Sequence, residues 1–106
     1  MSKSIIQKNT DKLSRECFLC RMENPYMELT HKGLEKHHFM HGNANRKLAE
    51  RYGLWGYLCP YHHQDGPKSV HKCHETDLIL MQTAQESFEA VYGHKQWMAI
   101  FGKNYL

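Results

Sequence analysis

The clearest alternation of apolar and polar positions lies in the last third of the chain. Six apolar residues recur there at steps of three and four, the spacing of one face of an α-helix: Leu78, Met81, Ala84, Phe88, Val91 and Tyr92. This pattern predicts a helix over residues 76–92, ended by Gly93, because glycine favours the backbone conformation found just after a helix. A shorter apolar stripe predicts a closing helix over residues 94–101.

Two runs in the middle of the chain are typical of β-strands. Residues 34–40 and 54–58 are short and bounded by turn residues, and the second run carries Trp and Tyr. The segment between them, residues 45–52, is predicted to be a short helix that stops at Gly53. A His-rich turn over residues 61–68 follows the second run. This order of elements predicts a small α+β domain with helices at its C-terminal end.

The length of 106 residues fits a single domain with a modest hydrophobic core. Residues 1–14 are polar and are expected to form a flexible, solvated arm, so the folded domain is expected to span residues 15–106. Residues 21–32 contain an Asn-Pro pair and are expected to be loop. A domain of this size often needs a disulfide or a metal ion to stabilise it.

The composition argues against a membrane or secreted protein. No stretch approaches the roughly 20 apolar residues of a membrane span, and the polar N-terminal segment lacks the apolar run of a signal peptide. We therefore expect a cytoplasmic protein with no membrane partner. In that reducing setting the four cysteines are better explained as metal ligands than as disulfides, which are the alternative. Of the four, Cys73 is expected to be a free thiol.

Two short pairs of metal-binding residues, far apart in sequence, predict a structural zinc site. Cys17 and Cys20 are spaced C-x-x-C, and Cys59 and His62 are spaced C-x-x-H. Each pair closes a small loop that can direct two ligands at one ion, the usual layout of a tetrahedral zinc site. His63 is the alternative fourth ligand, but the matched spacing favours His62. The competing interpretation is that the cysteines are small buried residues or that the C-x-x-C is a redox pair.

Histidines that the zinc pairs do not use predict a second, catalytic site. The chain has nine histidines; His37 and His38 end the first predicted strand, and His63 directly follows the zinc pair. Histidine is a frequent metal ligand and the side chain best suited to proton transfer near neutral pH. Adjacent strand residues face opposite sides, so both can serve one site only at a strand end or a bulge. The alternative is that these histidines only decorate a sheet.

Hydrolysis of a phosphodiester is a reaction that such a set of side chains suits. The reaction needs an activated water and stabilisation of the charge on the leaving oxygen. Two histidine ligands leave positions on a divalent ion open for phosphate oxygen and water. A further neutral histidine can take the proton from that water.

Three sequence motifs together resemble the HNH, or ββα-metal, nuclease superfamily. They are a C-x-x-C pair, an apolar-flanked His-His pair and an L-C-P-x-H-H segment: Cys17-x-x-Cys20, Leu34-Glu35-Lys36-His37-His38-Phe39 and Leu58-Cys59-Pro60-Tyr61-His62-His63. The similarity covers residues 17–92. Residues 66–71 and 88–93 are more weakly similar to small phage-encoded members, including RecA-dependent recombination nucleases.

This resemblance implies a ββα-metal fold with a structural zinc knuckle and C-terminal helices. Carried over by position, it implies that His37 and His63 bind a catalytic divalent metal, Mg²⁺, Mn²⁺ or Zn²⁺, and that His38 is the general base. It also implies a DNA substrate and a phage function in the cytoplasm of a bacterial host. The partner implied besides DNA is a recombinase or another phage DNA-processing protein.

The chain departs from the family pattern at two positions. Leu54 stands where many members have an asparagine that orients the loop, and Asn43 or Asn45, after the His-His pair, could take its place. Pro67 stands where many members have a third histidine or an asparagine, and His71 is the nearest candidate for a third metal ligand. The resemblance therefore leaves Asn45 and His71 as candidates for these two roles.

A basic segment beside the histidines could bind nucleic-acid phosphates. Residues 31–53 contain five lysines and arginines against two glutamates, an excess equal to the net charge of +3 of the whole chain. Arg46 is the best candidate for the scissile phosphate, because a guanidinium binds phosphate oxygens in a bidentate way. The alternative is an ordinary solvated helix face. Trp55 and Trp97 could stack on bases, but core packing is the expectation for both.

We therefore predict a metal-dependent DNA endonuclease that uses a histidine base and one divalent metal ion. One competing function is a catalytically silent, zinc-stabilised nucleic-acid-binding module, which Leu54 and Pro67 favour. Another is a zinc-stabilised protein-interaction adaptor. The set of His37, His38 and His63 favours the nuclease, because a purely structural zinc module needs no second histidine cluster.

Overall fold

The computed structural model describes residues 3–106, and the first two residues of the predicted arm, 1–14, lie outside the described part. Helices alternate with two short strands along the chain: α1 Phe18–Glu23, β1 Glu35–His38, α2 Asn43–Tyr52, β2 Trp55–Leu58, a π-helical turn Tyr61–Asp65, α3 His74–Tyr92 and α4 His94–Phe101. The predicted small α+β class is confirmed. Within residues 3–106, no helix combines the length and the apolar character needed to cross a membrane.

The two strands form an antiparallel sheet in which His37 lies opposite Gly56 and His38 opposite Trp55. Successive side chains of a strand point to opposite faces. Glu35 and His37 therefore share one face of β1, and His38 lies on the other face. The two adjacent histidines consequently leave the strand in different directions.

The C-x-x-C segment lies at the start of a helix, where the sequence predicted a small closed loop followed by a longer one. Residues 21–23, expected to be loop, belong to α1. The Sγ of Cys17 accepts a hydrogen bond from the backbone N–H of Cys20 at 3.4 Å and caps the helix, a role more often taken by Ser or Asp. A helix of six residues has too little apolar periodicity to be recognised from sequence.

Part of the expected solvated arm lies against the outer edge of β2. The backbone N–H of Ile5 donates to the carbonyl of Gly53 at 2.9 Å, and the Ser4 hydroxyl donates to a carbonyl of β2 at 2.6 Å. Gln7 is buried, and its Oε1 accepts from the N–H of Tyr57 at 2.9 Å. The polar side chains of this segment thus pair with backbone groups that have no partner strand on that edge.

The hydrophobic core is built from residues of α1, α2, β2, α3 and α4 and of the segments between them. Trp97 of α4 is fully buried; it stacks on Phe101 with ring centroids 4.2 Å apart and packs edge-on against Phe88 of α3. Its Nε1–H donates to the carbonyl of Lys103 at 2.8 Å. The expectation of core packing is confirmed for Trp97. Trp55 is buried too, but outside this core, where it lies under the ammonium group of Lys36 and against Tyr57.

The apolar stripe predicted on α3 is correct up to Phe88 and wrong beyond it. Val91 and Tyr92 are exposed, because the chain turns at Gly93 and α4 folds back onto Phe88. Gln85 takes a core position that the pattern did not predict. Its fully buried amide group hydrogen-bonds the C-terminal tail at 2.7 Å through both its nitrogen and its oxygen, so a polar residue is satisfied there.

We expect Gly53→Ala to destabilise the protein more than Gly102→Ala. Both glycines end a helix with a φ of 73°, where an L side chain costs roughly 1–2 kcal/mol. A Cβ at Gly53 would lie 2.1 Å from the carbonyl oxygen of Lys3, whereas a Cβ at Gly102 would have nothing within 4 Å. The free energy of unfolding, measured by urea denaturation, compares the two variants. Equal losses would contradict the packing of residues 3–7 against β2.

Candidate metal centres

Four ligand atoms converge where α1 meets the end of β2. Cys17, Cys20, Cys59 and His62 each offer one atom, and these atoms lie within 4.8 Å of one another. His62 Nδ1 is 3.5, 3.3 and 3.2 Å from the three sulfurs, and the sulfurs of Cys20 and Cys59 are 3.7 Å apart. Tetrahedral zinc, with bonds of about 2.3 Å to sulfur and about 2.0 Å to nitrogen, places its ligand atoms about 3.5–3.8 Å apart, a few tenths of an ångström more than the shortest of these distances. The cluster could therefore hold a metal ion such as zinc.

A backbone hydrogen bond and the carboxylate of a residue distant in sequence hold these ligands in position. The N–H of His63 donates to the carbonyl of Cys59 at 2.9 Å and closes the C-x-x-H loop. The Nε2 of His62 donates to Glu23 Oε1 at 2.9 Å, which directs its Nδ1 at the sulfurs. Sequence reasoning missed Glu23, because it is 39 residues from His62 and no spacing rule connects the two.

The buried thiols of Cys17 and Cys20 are chemically suited to binding a cation. Burial raises the pKa of the Cys17 thiol, and burial together with the neighbouring cysteines raises the pKa of Cys20. A bound cation would offset this cost by stabilising the thiolates, so metal binding and folding are coupled. Four protein ligands leave no open position for a substrate, which is typical of a structural site. The cluster contains His62 and not His63.

Three histidines converge at a second place, on the inner face of β1. They are His37 on the strand, His63 in the π-helical turn and His71 in the loop before α3, and their ligand atoms lie within 4.8 Å of one another. The Nε2 atoms of His63 and His71 are 3.2 Å apart. The N–H of Val70 donates to the carbonyl of His62 at 2.9 Å and holds the loop in place. His71 is thus brought next to the two histidines that the sequence singled out as metal ligands.

His37 is the buried member of this second cluster. The residue is 6% exposed, and its Nε2 has no hydrogen-bond partner in the part of the chain that the structure describes. Burial, followed by the charges of neighbouring histidines with His63 first, lowers the pKa of His37 to about 3, so the ring is neutral at pH 7. A buried polar atom without a partner is costly. A divalent cation fits this nitrogen, since imidazole is a ligand for such ions.

Glu35 orients His63 within the cluster. The Nδ1 of His63 donates to Glu35 Oε1 at 3.0 Å, so its Nε2 faces His71. A carboxylate on the far side of a metal-binding imidazole fixes both its ring orientation and its tautomer. The sequence analysis did not single out Glu35. Its position two residues before His37, on the same face of β1, is a signal that could have identified it.

His38 leaves β1 on the opposite face and contacts α2. Its Nε2 donates to Glu50 Oε1 at 3.2 Å, and the same oxygen accepts from Lys36 Nζ at 2.7 Å. With Nε2 donating, the Nδ1 of a neutral ring is an acceptor. His38 therefore lies beside the cluster of three and does not belong to it.

A cleft of about 380 Å³ joins the second cluster to the basic side chains. His38, Lys36 and Arg46 line it together with the three clustered histidines. Asn45 is half-buried on α2 and is not a lining residue among residues 3–106, whereas Asn43 is one. Arg46 is therefore placed where a phosphate could reach it, and Asn43 is better placed than Asn45 for a role in the cleft.

Comparison with known proteins identifies no relative: no protein-family model, curated protein or solved structure matches the chain. The resemblance to HNH nucleases consequently stays a hypothesis. Any assignment of function depends on the chemistry of the two clusters and the cleft.

We expect Cys17→Ala to lose the metal ion and the cooperative fold. Three ligands remain in this variant, and the ion that offsets the burial of the other two thiols is then held weakly. Zinc content by elemental analysis and thermal unfolding by circular dichroism measure both effects. Cys73→Ala is the matched control, because Cys73 lies outside the cluster, and it should keep its zinc and melt close to the parent. A Cys17→Ala protein that also did so would contradict the structural role of the cluster.

Proposed function

We propose that this protein is a metal-dependent DNA endonuclease of the HNH type, which hydrolyses phosphodiester bonds. The observation that carries the proposal is the buried, unpartnered Nε2 of His37, which lies with His63 and His71 at a cleft also lined by Lys36 and Arg46. Three imidazoles favour a divalent cation, and cationic side chains at the same cleft favour a phosphate ligand. Together they support phosphodiester hydrolysis better than either feature alone.

His37, His63 and His71 would hold the catalytic ion, and Glu35 would keep His63 oriented toward it. Three protein ligands leave coordination positions open, as catalytic metal sites require. A divalent ion bound there supplies charge stabilisation at the phosphate and lowers the pKa of a water molecule. Mg²⁺, Mn²⁺ and Zn²⁺ are the candidate ions. The neutral state of His37 means that it can bind any of them without first losing a proton.

His38 is the proposed general base. Its Nε2–H is held by Glu50, so its Nδ1 carries the lone pair that accepts a proton from the attacking water. As the water oxygen bonds to phosphorus, the bond from phosphorus to the leaving oxygen breaks, and that oxygen keeps the electron pair and takes a proton from solvent. The carboxylate of Glu50 offsets the positive charge that His38 acquires. Its position on the cleft wall, outside the ligand set, supports a role in proton transfer over one in metal binding.

Arg46 is the proposed phosphate ligand. Lys36 also lines the cleft, but Glu50 lies 2.7 Å from its Nζ and offsets its charge. Arg46 is exposed on α2 and can present its guanidinium to two oxygens of one phosphate. Asn43, at the first residue of α2, lines the same cleft and can hydrogen-bond the substrate backbone.

The biological setting is proposed from the resemblance alone. It is DNA recombination or processing by a phage, in the cytoplasm of a bacterial host, with a recombinase or another phage DNA-processing protein as a partner. The same resemblance is the basis for proposing that the α+β fold is a ββα-metal fold stabilised by zinc.

A catalytically silent, zinc-stabilised nucleic-acid-binding module is the second candidate function. Leu54 favours it, because this side chain is fully buried in the core and cannot form the hydrogen bonds of the asparagine found there in many HNH members. Both functions require binding of DNA at the basic cleft. They differ in whether the bound DNA is cut.

We expect the protein to nick supercoiled plasmid with Mg²⁺ or Mn²⁺, and His38→Ala to slow nicking by about 10²–10⁴-fold, the usual contribution of a general base. His63→Ala should also slow nicking in Mg²⁺, because the proposed ion loses a ligand. Conversion of supercoiled to open-circular plasmid on agarose gels gives the rate. Zinc content and thermal unfolding establish that each variant is folded.

The matched control for these variants is His94→Ala. His94 is exposed on α4 and does not line the cleft, so this variant should cut like the parent. Undiminished nicking by His38→Ala would remove the assignment of the base. No nicking with any divalent ion, from a folded and zinc-loaded sample, would favour the binding module.

We expect Arg46→Ala to weaken DNA binding and to reduce the slope of log affinity against log salt by about 1, because one phosphate contact is lost. Fluorescence anisotropy with labelled duplex DNA measures this in the His38→Ala background, where the DNA stays intact. Lys95→Ala, which removes an exposed charge from α4 outside the cleft, is the control. The same salt slope with and without the Arg46 side chain would argue against a phosphate contact.

A further inference from the structure

His37 also belongs to a second group of potential ligands, which the nuclease chemistry above does not use. His37, His41 and Asp77 each offer one atom, and these atoms lie within 4.8 Å of one another. His41 follows β1, whereas Asp77 lies in the first turn of α3, so two distant parts of the chain meet at His37. Neither His41 nor Asp77 is in the group that contains His63 and His71.

The pair formed by His41 and Asp77 is both ordered and accessible. Asp77 is only 8% exposed, and its Oδ1 accepts a hydrogen bond from His41 Nε2. The side chain of His41 is 44% exposed and lines the cleft, so an ion can reach the pair from solvent. The pair presents a nitrogen and a carboxylate oxygen next to the buried His37, whose Nε2 has no partner among residues 3–106.

The two groups that share His37 differ in their donor atoms. One offers three imidazoles, which suit zinc and cobalt, and the other offers two imidazoles and a carboxylate, which suit ions that prefer oxygen, such as Mn²⁺. A neutral imidazole nitrogen binds one cation at a time. Because only one nitrogen of a neutral imidazole has a free lone pair, the two groups that share His37 are alternative positions for one ion.

We infer that His37, His41 and Asp77 form a second divalent-cation position, which Mn²⁺ prefers and which shares His37 with the position completed by His63 and His71. This inference deepens the proposed function, since it concerns the same cleft, but binding of Mn²⁺ does not require that the protein cut DNA. The cleft then selects between two ligand sets according to the ion that is present.

The experiment measures ion affinity and does not use cleavage. The full chain is first loaded with one equivalent of zinc for the cysteine cluster, and Mn²⁺ is then titrated and followed by the loss of the free-ion signal in electron paramagnetic resonance. Asp77→Asn and His41→Ala should each weaken Mn²⁺ binding by about tenfold or more, the loss seen even for partners outside the coordination shell. His71→Ala should leave the affinity for Mn²⁺ within about twofold of the parent. Co²⁺ binding is followed by visible absorption. Here His71→Ala should weaken binding by about tenfold or more, and Asp77→Asn should leave the affinity within about twofold of the parent.

Zinc content and thermal unfolding establish that the variants are folded. If the buried Asp77→Asn variant unfolds, the more exposed His41→Ala carries the test. Mn²⁺ binding that is unchanged in His41→Ala, or that falls as much in His71→Ala as in Asp77→Asn, would overturn the second position. Binding that depends on His41 and Asp77 in a protein without nicking activity would support the second position and count against the nuclease.

Discussion

The need of buried thiols for a cation is the constraint on which the arrangement of this molecule depends. Cys17 and Cys20 lie at the start of α1, and Cys59 and His62 lie just after β2. One ion would therefore join the segment that precedes the sheet in sequence to the segment that follows it. His63 is the next residue along the chain, so an ion bound there would also restrict its position. The cluster of three histidines is thus adjacent in sequence to the candidate zinc site, which would hold it more firmly than a small hydrophobic core alone.

Carboxylates from other parts of the chain orient most of the histidines around the two clusters. Four such pairs are hydrogen-bonded: His62 with Glu23, His63 with Glu35, His38 with Glu50 and His41 with Asp77. Each carboxylate fixes which ring nitrogen carries the proton and which one is free to bind or to accept. His37 differs, because burial among other rings orients it and its Nε2 is left without a partner in the described chain. It is therefore the ring most in need of an ion.

The distance between partners along the chain decided what could be predicted from sequence. The C-x-x-C and C-x-x-H pairs and α4 were recognised because a few neighbouring residues determine them. Glu23 and Glu50 were missed, since they lie 39 and 12 residues from the histidines they orient and no spacing rule joins them. Gln7 and Gln85 are polar residues that are buried because backbone groups far away in sequence need them. His71 could be named only as a candidate, because its place depends on how the loop before α3 folds.

Side chains, and not a third strand, close the outer edge of β2. Ser4 and Gln7 occupy hydrogen-bonding positions that another polypeptide would need in order to extend the sheet. A third strand in their place would have a free edge of its own, with unpaired backbone N–H and C=O groups. The side-chain amide and hydroxyl groups of Ser4 and Gln7 offer no such row of groups to another chain. Growth of the sheet from one molecule to the next is thereby blocked at this edge. We therefore expect the short N-terminal segment to hinder fibrous aggregation at high concentration, a consequence that does not depend on metal binding.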